Sequence, residues 1–543
     1  MNVLVIIAGT GLIFWAGYVL YASKVVNIFK PDKHKKTPAY TNYDGIDFVP
    51  AKHWSMLFGH HFSSIAGAAP VVGPILAISI WGWAPTLLWV LLGTIFIGGV
   101  HDYCSLMISV RHKGRSIADF AGDTISNNAK RIFLSFAWVA LILIISVFVH
   151  LCAKTLVLMP SIVLPSIGLI PLAMIIGVFL YTKKLLKKHN QISVTLLGLV
   201  CLGILIRLGL TYPISLNYAH PIHVWSIILL VYAYFASIAP VQILLQPRDY
   251  LSSFLLFAGL GLGYIGLILY KPSMNFPAFI GFSDETAGML WPVLFITVAC
   301  GAISGFHSLV ASGTTSKQLP NEIYAKRIGY GGMVAEGFLA VLAILVVAVA
   351  YSKVGNLRGI VNTGGGPITA FAFGFGEITK GFLGESGPLL AVLILNAFIF
   401  TTLDTATRIA RYITQELFCV KNRYIATLVV VALSGWLGLS GEWNEVWPLF
   451  GAANQLIAAL ALIVITSWLL ATRKPVIYTI VPTIFMLITT IAALLSKISE
   501  YIQVKNILLA VIAVVLMFLA FVVLYEAVFV AIRNYRRVHH AKA

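Results

Sequence analysis

The chain has 543 residues, of which 59% are hydrophobic and only 10% charged. Soluble domains carry roughly 25% charged residues, so a soluble enzyme is excluded and an all-α polytopic membrane protein is implied. The formal charge of +18 points to no nucleic-acid partner, because about 29 of the 37 Lys and Arg fall in alternate loops and so face the cytoplasm and anionic membrane lipid.

Apolar runs of spanning length, roughly 20 residues each, number about fifteen. They start near Asn2, Met56, Ala84, Ile132, Ser161, Ser193, Ile222, Leu251, Leu290, Ile328, Leu389, Tyr424, Pro448, Val476 and Ile507. The first lacks a charged leading region and a small-residue cleavage site, so it is expected to be a membrane helix and not a cleaved signal. The basic loops are Lys24–Lys52, Arg111–Arg131, Lys183–Lys188, Lys317–Arg327, Arg408–Arg423 and Arg533–Lys542, with Arg248, Arg473 and Lys474 on the same side. Tyr212–Pro221 has no Lys or Arg. The positive-inside rule then sets the amino terminus outside and the carboxyl terminus in the cytoplasm. Cys104, Cys152, Cys201, Cys300 and Cys419 show no metal-ligand spacing, and the expectation is packing residues with no metal and no cofactor.

In the second span the string GHHFSSIAGAAPVVGP (Gly59–Pro74) interrupts an apolar run. Inside a bilayer, irregular backbone is tolerated only where it lines a cavity or is buried in protein. The half-helix restarting near Val71 points its positive end at the gap. The amides of Gly67, Ala68 and Ala69 therefore suit a carboxylate, with His60, His61, Ser63 and Ser64 beside them. A Gly/Pro kink satisfied by neighbouring helices is the plainer alternative.

The seventh span offers an echo. Phe62-Ser63-Ser64-Ile65-Ala66 precedes Pro70-Val71, and Phe235-Ala236-Ser237-Ile238-Ala239 precedes Pro240-Val241 and Gln242. The charge rule runs the two spans in opposite directions, five spans apart. That is the five-plus-five inverted repeat of LeuT-type transporters, with two broken helices. The expected division is a first helix and basic loop (1–53), a ten-helix core (54–423, with repeats 54–212 and 222–418), and four further helices (424–543).

The ninth span reads CGAISGFHSLVASGTTSK from Cys300 to Lys317. Ser304, Ser308 and Ser312 share a face, with His307 adjacent. Ser304 and Ser308 with the carbonyl of Ala66 form a candidate cation site, unless they merely pack helices together. Intramembrane acids are costly and are functional candidates by default. Asp404, ringed by Thr401, Thr402 and Thr405, is the first candidate proton carrier, with an ion pair to Arg408 as the alternative. Glu336 and Asp102 follow, and Glu526 lies outside the core. His60, His61 and His307 are expected near substrate. The external segment Ser352–Gly387 reads as a gating or plain loop.

GHHFSSIAGAAPVVGP and CGAISGFHSLVASGTT resemble the signature segments of the carbon starvation protein A family, over most of the chain to about Asn422. The resemblance implies a bacterial inner-membrane transporter of LeuT-type fold, taking up peptides or, in one branch, pyruvate with protons. Two departures put the substrate branch in question: Val100-His101-Asp102 stands where the family pattern has Gln before Asp, and the carboxyl end is shorter than in the longest members. The expected function is proton-coupled uptake of peptide or a small carboxylate during carbon starvation, with Na+-coupled uptake of another organic acid or amino acid as the alternative. An intramembrane hydrolase lacks its HExxH and an ATP-driven pump its GxxxxGK[ST]. A metal- or haem-binding protein using the histidines is the reading from another class.

Overall fold

A backbone leaving water must satisfy its N–H and C=O groups within the chain, and helices do so segment by segment. The computed structural model describes residues 2–181, 190–285, 287–362, 365–439 and 443–540; the basic loop Lys183–Lys188 lies outside them. Thirteen of the described helices are long and apolar enough to cross a membrane.

In chain order the first are α1 (Val3–Phe29), the pair α2 (Trp54–Ala66) and α3 (Ala69–Trp81), and α4 (Trp83–Arg111). Next come α5 (Asn127–Leu158), α6 (Val163–Tyr181), α7 (Asn190–Thr211), α8 (Pro221–Ile238) and α9 (Leu245–Tyr270). The short pair α10 (Leu290–Thr297) and α11 (Gly305–Gly313) precedes α12 (Glu322–Ala350). They are followed by α13 (Val354–Asn362), α14 (Pro367–Leu383), α15 (Ser386–Leu417), the shorter apolar α16 (Arg423–Gly438), α17 (Trp443–Ala471), α18 (Ile477–Gln503) and α19 (Ile507–His540).

The first interruption is where the sequence puts it. Gly67 separates α2 from α3 with φ +55°, a left-handed conformation, and a Cβ there would meet Phe148 Cζ and Thr402 Oγ1 at 3.1 Å. Only glycine fits both the torsion and the space. Pro70 follows in the first turn of α3, where its missing N–H has no helical partner to lose.

The second interruption is not at Phe235–Pro247. That stretch is the turn joining two separate spans, α8 ending at Ile238 and α9 starting at Leu245. Pro240 sits where the helix has already stopped, and Arg408 Nη2 donates to the last carbonyls of α8, Ala236 O at 2.7 Å and Ala239 O at 2.5 Å. The broken helix is the ninth span instead. Residues 298–304 cross between α10 and α11 without helical structure, and Gly301 turns the chain at φ +92°.

Helices α5 and α15, each 32 residues long, pack along one another at the centre. Against them lie α2, which also packs on α9, and α8; α3 packs on α12, and α11 packs on α4 and α17. The membrane-length part of α17, expected among the four helices after the core, is wholly buried. The segment expected as a loop between 352 and 387 is instead the helix pair α13 and α14. Phe371 and Phe375 of α14 are buried as it packs on α3, α12 and α15. Outer helices turn Leu196, Leu197, Val200 and Ile204 of α7 outward, as lipid-facing surfaces require.

Exposed Lys36 and Asn217 are separated by five spans, α2–α3 through α7. Single cysteines at the two positions, on a background without Cys419, are expected to react from opposite sides with an impermeant thiol reagent in intact cells. Equal reactivity would reverse that order.

Candidate functional site: two buried ionic clusters at the interrupted helices

Ionised groups taken out of water must be paired and hydrogen-bonded, or the cost is several kcal/mol per ion. Two clusters meet that demand, one on each side of α2.

The first centres on Arg248, in the first turn of α9 and buried. Its Nη1 donates to Asp404 Oδ2 and to Tyr232 Oη. Its Nη2 donates to Asp249 Oδ1 at 2.8 Å and Thr401 Oγ1 at 3.1 Å. Tyr232 donates to the same Asp404 oxygen at 2.7 Å. Asp249 Oδ2 lies 2.6 Å from His60 Nδ1, and His60 Nε2 lies 3.3 Å from Gln318 Nε2. The network ties α8, α9 and α15 to the helix that breaks at Gly67. It holds one fixed cation against two carboxylates, and Asp404 Oδ1 has no hydrogen-bond partner.

Asp404 is therefore paired, but not with Arg408. One helical turn along α15, Arg408 Nη1 reaches the other way to Asp47 Oδ1 at 2.7 Å, and Arg411 Nη2 stands 3.4 Å from the same oxygen. Arg408 thus locks the loop before α2 onto the turn between α8 and α9. Gln242, expected near substrate, belongs to this lock as well, since its Nε2 donates to Gly45 O at 3.2 Å.

The second cluster centres on His307 in the first turn of α11. Its Nδ1 lies 2.9 Å from Asp102 Oδ2, and Asp102 Oδ1 lies 2.8 Å from His101 Nδ1. On its other side His307 Nε2 is 3.1 Å from Glu336 Oε2. Glu336 Oε1 accepts from the Gly301 amide at 3.0 Å, inside the unwound stretch. Cys300 Sγ joins the group, all three candidate ligand atoms lying within 4.8 Å of one another. The cysteine pattern in the sequence gives no sign of this, because Glu336 arrives from the following helix.

His60 and His61 point into different surroundings, as neighbours on a helix must. His61 Nδ1 is 2.9 Å from Thr315 Oγ1. Ser64 Oγ lies 3.0 Å from Thr405 Oγ1, and Thr402 donates to Ser64 O at 3.0 Å, so α15 lines the break just before Gly67. Ser63 Oγ is buried without a partner. Ser304 and Ser308, expected at a cation site with Ala66, are hydrogen-bonded to protein groups. Ser304 accepts from Asn454 Nδ2 at 2.8 Å, and Ser308 donates to Gly305 O at 2.7 Å. Asn454, which also accepts from the Phe306 amide at 2.8 Å, comes from α17.

Arg248, Asp249, Tyr232 and Asn454 are the residues that sequence reasoning missed. The available signal was the Arg248-Asp249 pair, two opposite charges adjoining an apolar run; counting Arg248 as a loop charge hid it.

A multi-pass membrane transporter is the class that this fold and these buried clusters define. The structure is similar to that of a manganese transporter from Eremococcus coleocola, with a TM-score of 0.52 at 12% identity, covering 91% of this chain and 99% of that one. The likeness is one of fold, LeuT-like in type. The chain belongs to the carbon starvation protein CstA family, whose model matches residues 2–363 and 350–493. Its relatives include the peptide transporter CstA of Campylobacter jejuni, 31% identical over 85% of this chain and 75% of that protein. The pyruvate/proton symporter BtsT of Escherichia coli is 29% identical over 85% of this chain and 76% of that one.

The Asp47 lock yields a prediction. Burial disfavours the Asp47 carboxylate, but Arg408 and Arg411 overcome that and hold its pKa down at about 2, from 3.8. A depressed carboxylate adds stability that is present above the unfolded value and lost as pH falls toward 2. Asp47→Asn is expected to lower stability by about 2 kcal/mol at neutral pH. Thermal unfolding in detergent should show the gap to wild type closing between about pH 4 and 2; a gap independent of pH would refute the ionic lock.

Proposed function

We propose that this chain is a proton-coupled secondary transporter of a small carboxylate or peptide. On this reading it acts in a bacterial inner membrane, with the amino terminus outside and the carboxyl terminus in the cytoplasm, and is neither an enzyme nor a pump. The observation that carries the reading is the Arg248 network: one buried arginine faces two buried carboxylates, one of which has an unsatisfied oxygen, next to an interrupted helix. The names of the relatives supply the substrate classes.

Charge balance gives the coupling mechanism. With Asp249 and Asp404 both ionised and His60 neutral, the cluster is one negative charge in excess; one proton, on Asp404 or His60, makes it neutral. An uncompensated charge in a buried pair costs about 3–5 kcal/mol, enough to bias how α2, α9 and α15 pack. Proton binding then favours the closed arrangement, and proton release favours opening. Arg248 stays charged throughout and holds the two acids in place. Glu336 and Asp102, the other acids expected to carry the coupling proton, are committed to His307 and are not assigned that role.

The substrate carboxylate is assigned to the break between α2 and α3. Bonding within α3 begins with the amides of Val71 and Val72 onto Ala68 O, which leaves the amides before them at the positive end of a half-helix. Ser63, Ser64 and Thr402 supply hydroxyls at the same level. The two interrupted spans, α2–α3 and α10–α11, are read as equivalent members of an inverted repeat. Six spans lie between them, so they run in opposite directions.

In proteoliposomes, Asp404→Asn is expected to abolish uptake driven by a pH gradient while retaining exchange of labelled pyruvate or dipeptide. Concentrative uptake at the wild-type rate would move the coupling proton away from this cluster. Gly67→Val is expected to eliminate substrate binding, since a branched side chain would occupy the left-handed position between Phe148 and Thr402. Truncating Ser63 to Ala should cost about 0.5–1.5 kcal/mol, the net worth of a neutral hydrogen bond. Normal binding by the Gly67 variant would place the carboxylate on side chains elsewhere.

A further inference from the structure

We infer that Cys300, His307 and Glu336 form a binding site for a divalent transition-metal ion of the zinc class, closing the break between α10 and α11. The three come from three elements: Cys300 from the unwound stretch, His307 from the start of α11 and Glu336 from α12. All are buried, and their ligand atoms lie within 4.8 Å of one another.

The geometry separates this group from an ordinary ion pair. His307 Nε2 and Glu336 Oε2 stand at an ion-pair distance of 3.1 Å, but neither atom completes a hydrogen bond of good geometry. Two fully buried polar atoms paired by charge alone leave hydrogen-bonding capacity unused at the centre of the group. A tetrahedral zinc with bonds of about 2.0–2.2 Å to nitrogen and oxygen holds such ligands roughly 3.3–3.6 Å apart. The pair needs only a small outward shift to accept one.

Each ligand is also anchored from behind. His307 gives its other nitrogen to Asp102, which His101 holds in turn. That is the carboxylate–histidine arrangement that fixes the tautomer and orientation of a metal-binding imidazole. Glu336 is steered by the Gly301 amide through Oε1, leaving Oε2 free. Cys300 Sγ is approached by Asn454 Nδ2 at 3.3 Å, which orients the sulfur. Thiolate, imidazole and carboxylate together suit zinc and cobalt better than magnesium or calcium, which prefer oxygen. Three protein ligands leave one coordination position open. The ion would staple the unwound stretch to α11 and α12, an arrangement independent of how transport is coupled to protons.

The test uses the untagged full-length protein in detergent, stripped with a chelator and re-equilibrated with Zn2+ or with Co2+. Elemental analysis is expected to find about one ion per chain, with a higher unfolding temperature in the loaded form. The Co2+ form should show sulfur-to-cobalt charge-transfer absorption. Cys300→Ser should remove that absorption and weaken binding, while Cys152→Ser, remote from the cluster, should leave both unchanged. Asp102→Asn, which touches the metal only through His307, should weaken binding by about 10- to 100-fold. Absence of a bound ion in the wild type overturns the proposal without recourse to any variant. So does bound cobalt without a thiolate band, or binding undiminished in both Cys300→Ser and Glu336→Gln.

Discussion

Everything central in this molecule depends on the cost of a charge held away from water. Arg248, Asp249, Asp404, Asp102, Glu336 and His307 are all buried. Each is stable there only because another chain segment supplies its partner. The helices that carry them cannot slide or rotate independently without breaking a pair, and breaking one costs about 3–5 kcal/mol. Ordinary apolar packing in a lipid environment gives little preference between neighbours, because lipid tails are as apolar as leucine side chains. The ionic clusters thus specify which helices meet.

The same constraint places the ionic clusters where the bundle has the least backbone bonding. Both clusters abut interrupted helices, where the chain has given up part of its internal bonding at Gly67 and Gly301. A segment with loose backbone and a charge-balanced partner is the kind of element whose packing a proton or a ligand can bias. The Arg248 network fastens the half-helix before Gly67 through His60, and the His307 cluster fastens the stretch at Gly301 through Glu336. The Asp47–Arg408 lock lies apart from both, at the turn between α8 and α9, and holds a loop in place without entering either cluster.

Central position does not follow chain order. Helix α17, buried over its membrane-length part, inserts Asn454 into the second interruption, where it bonds Ser304 and the Phe306 amide and approaches Cys300. A residue from late in the chain thus completes the bonding of an interruption about 150 residues before it.

The sequence by itself determined the membrane class, the whereabouts of most long spans, the first interruption and the family, although two of the fifteen apolar runs it offered, those near Leu290 and Tyr424, form helices shorter than a span. These are local properties: hydropathy over a span, the strain that only glycine relieves at Gly67, and two unusual strings. It also nominated Asp404, Glu336, Asp102 and the three histidines, because polar residues in apolar runs are visible one at a time. Only the tertiary structure decided their partners. Arg408 is four residues from Asp404 and on the same helix, yet Arg248, 156 residues away, takes the pair. The second interruption likewise moved from Pro240 to Gly301, since a proline marks a helix end and a mid-helix break alike. Which of the two it is depends on whether the chain turns back at that point, and hence on the packing of distant helices.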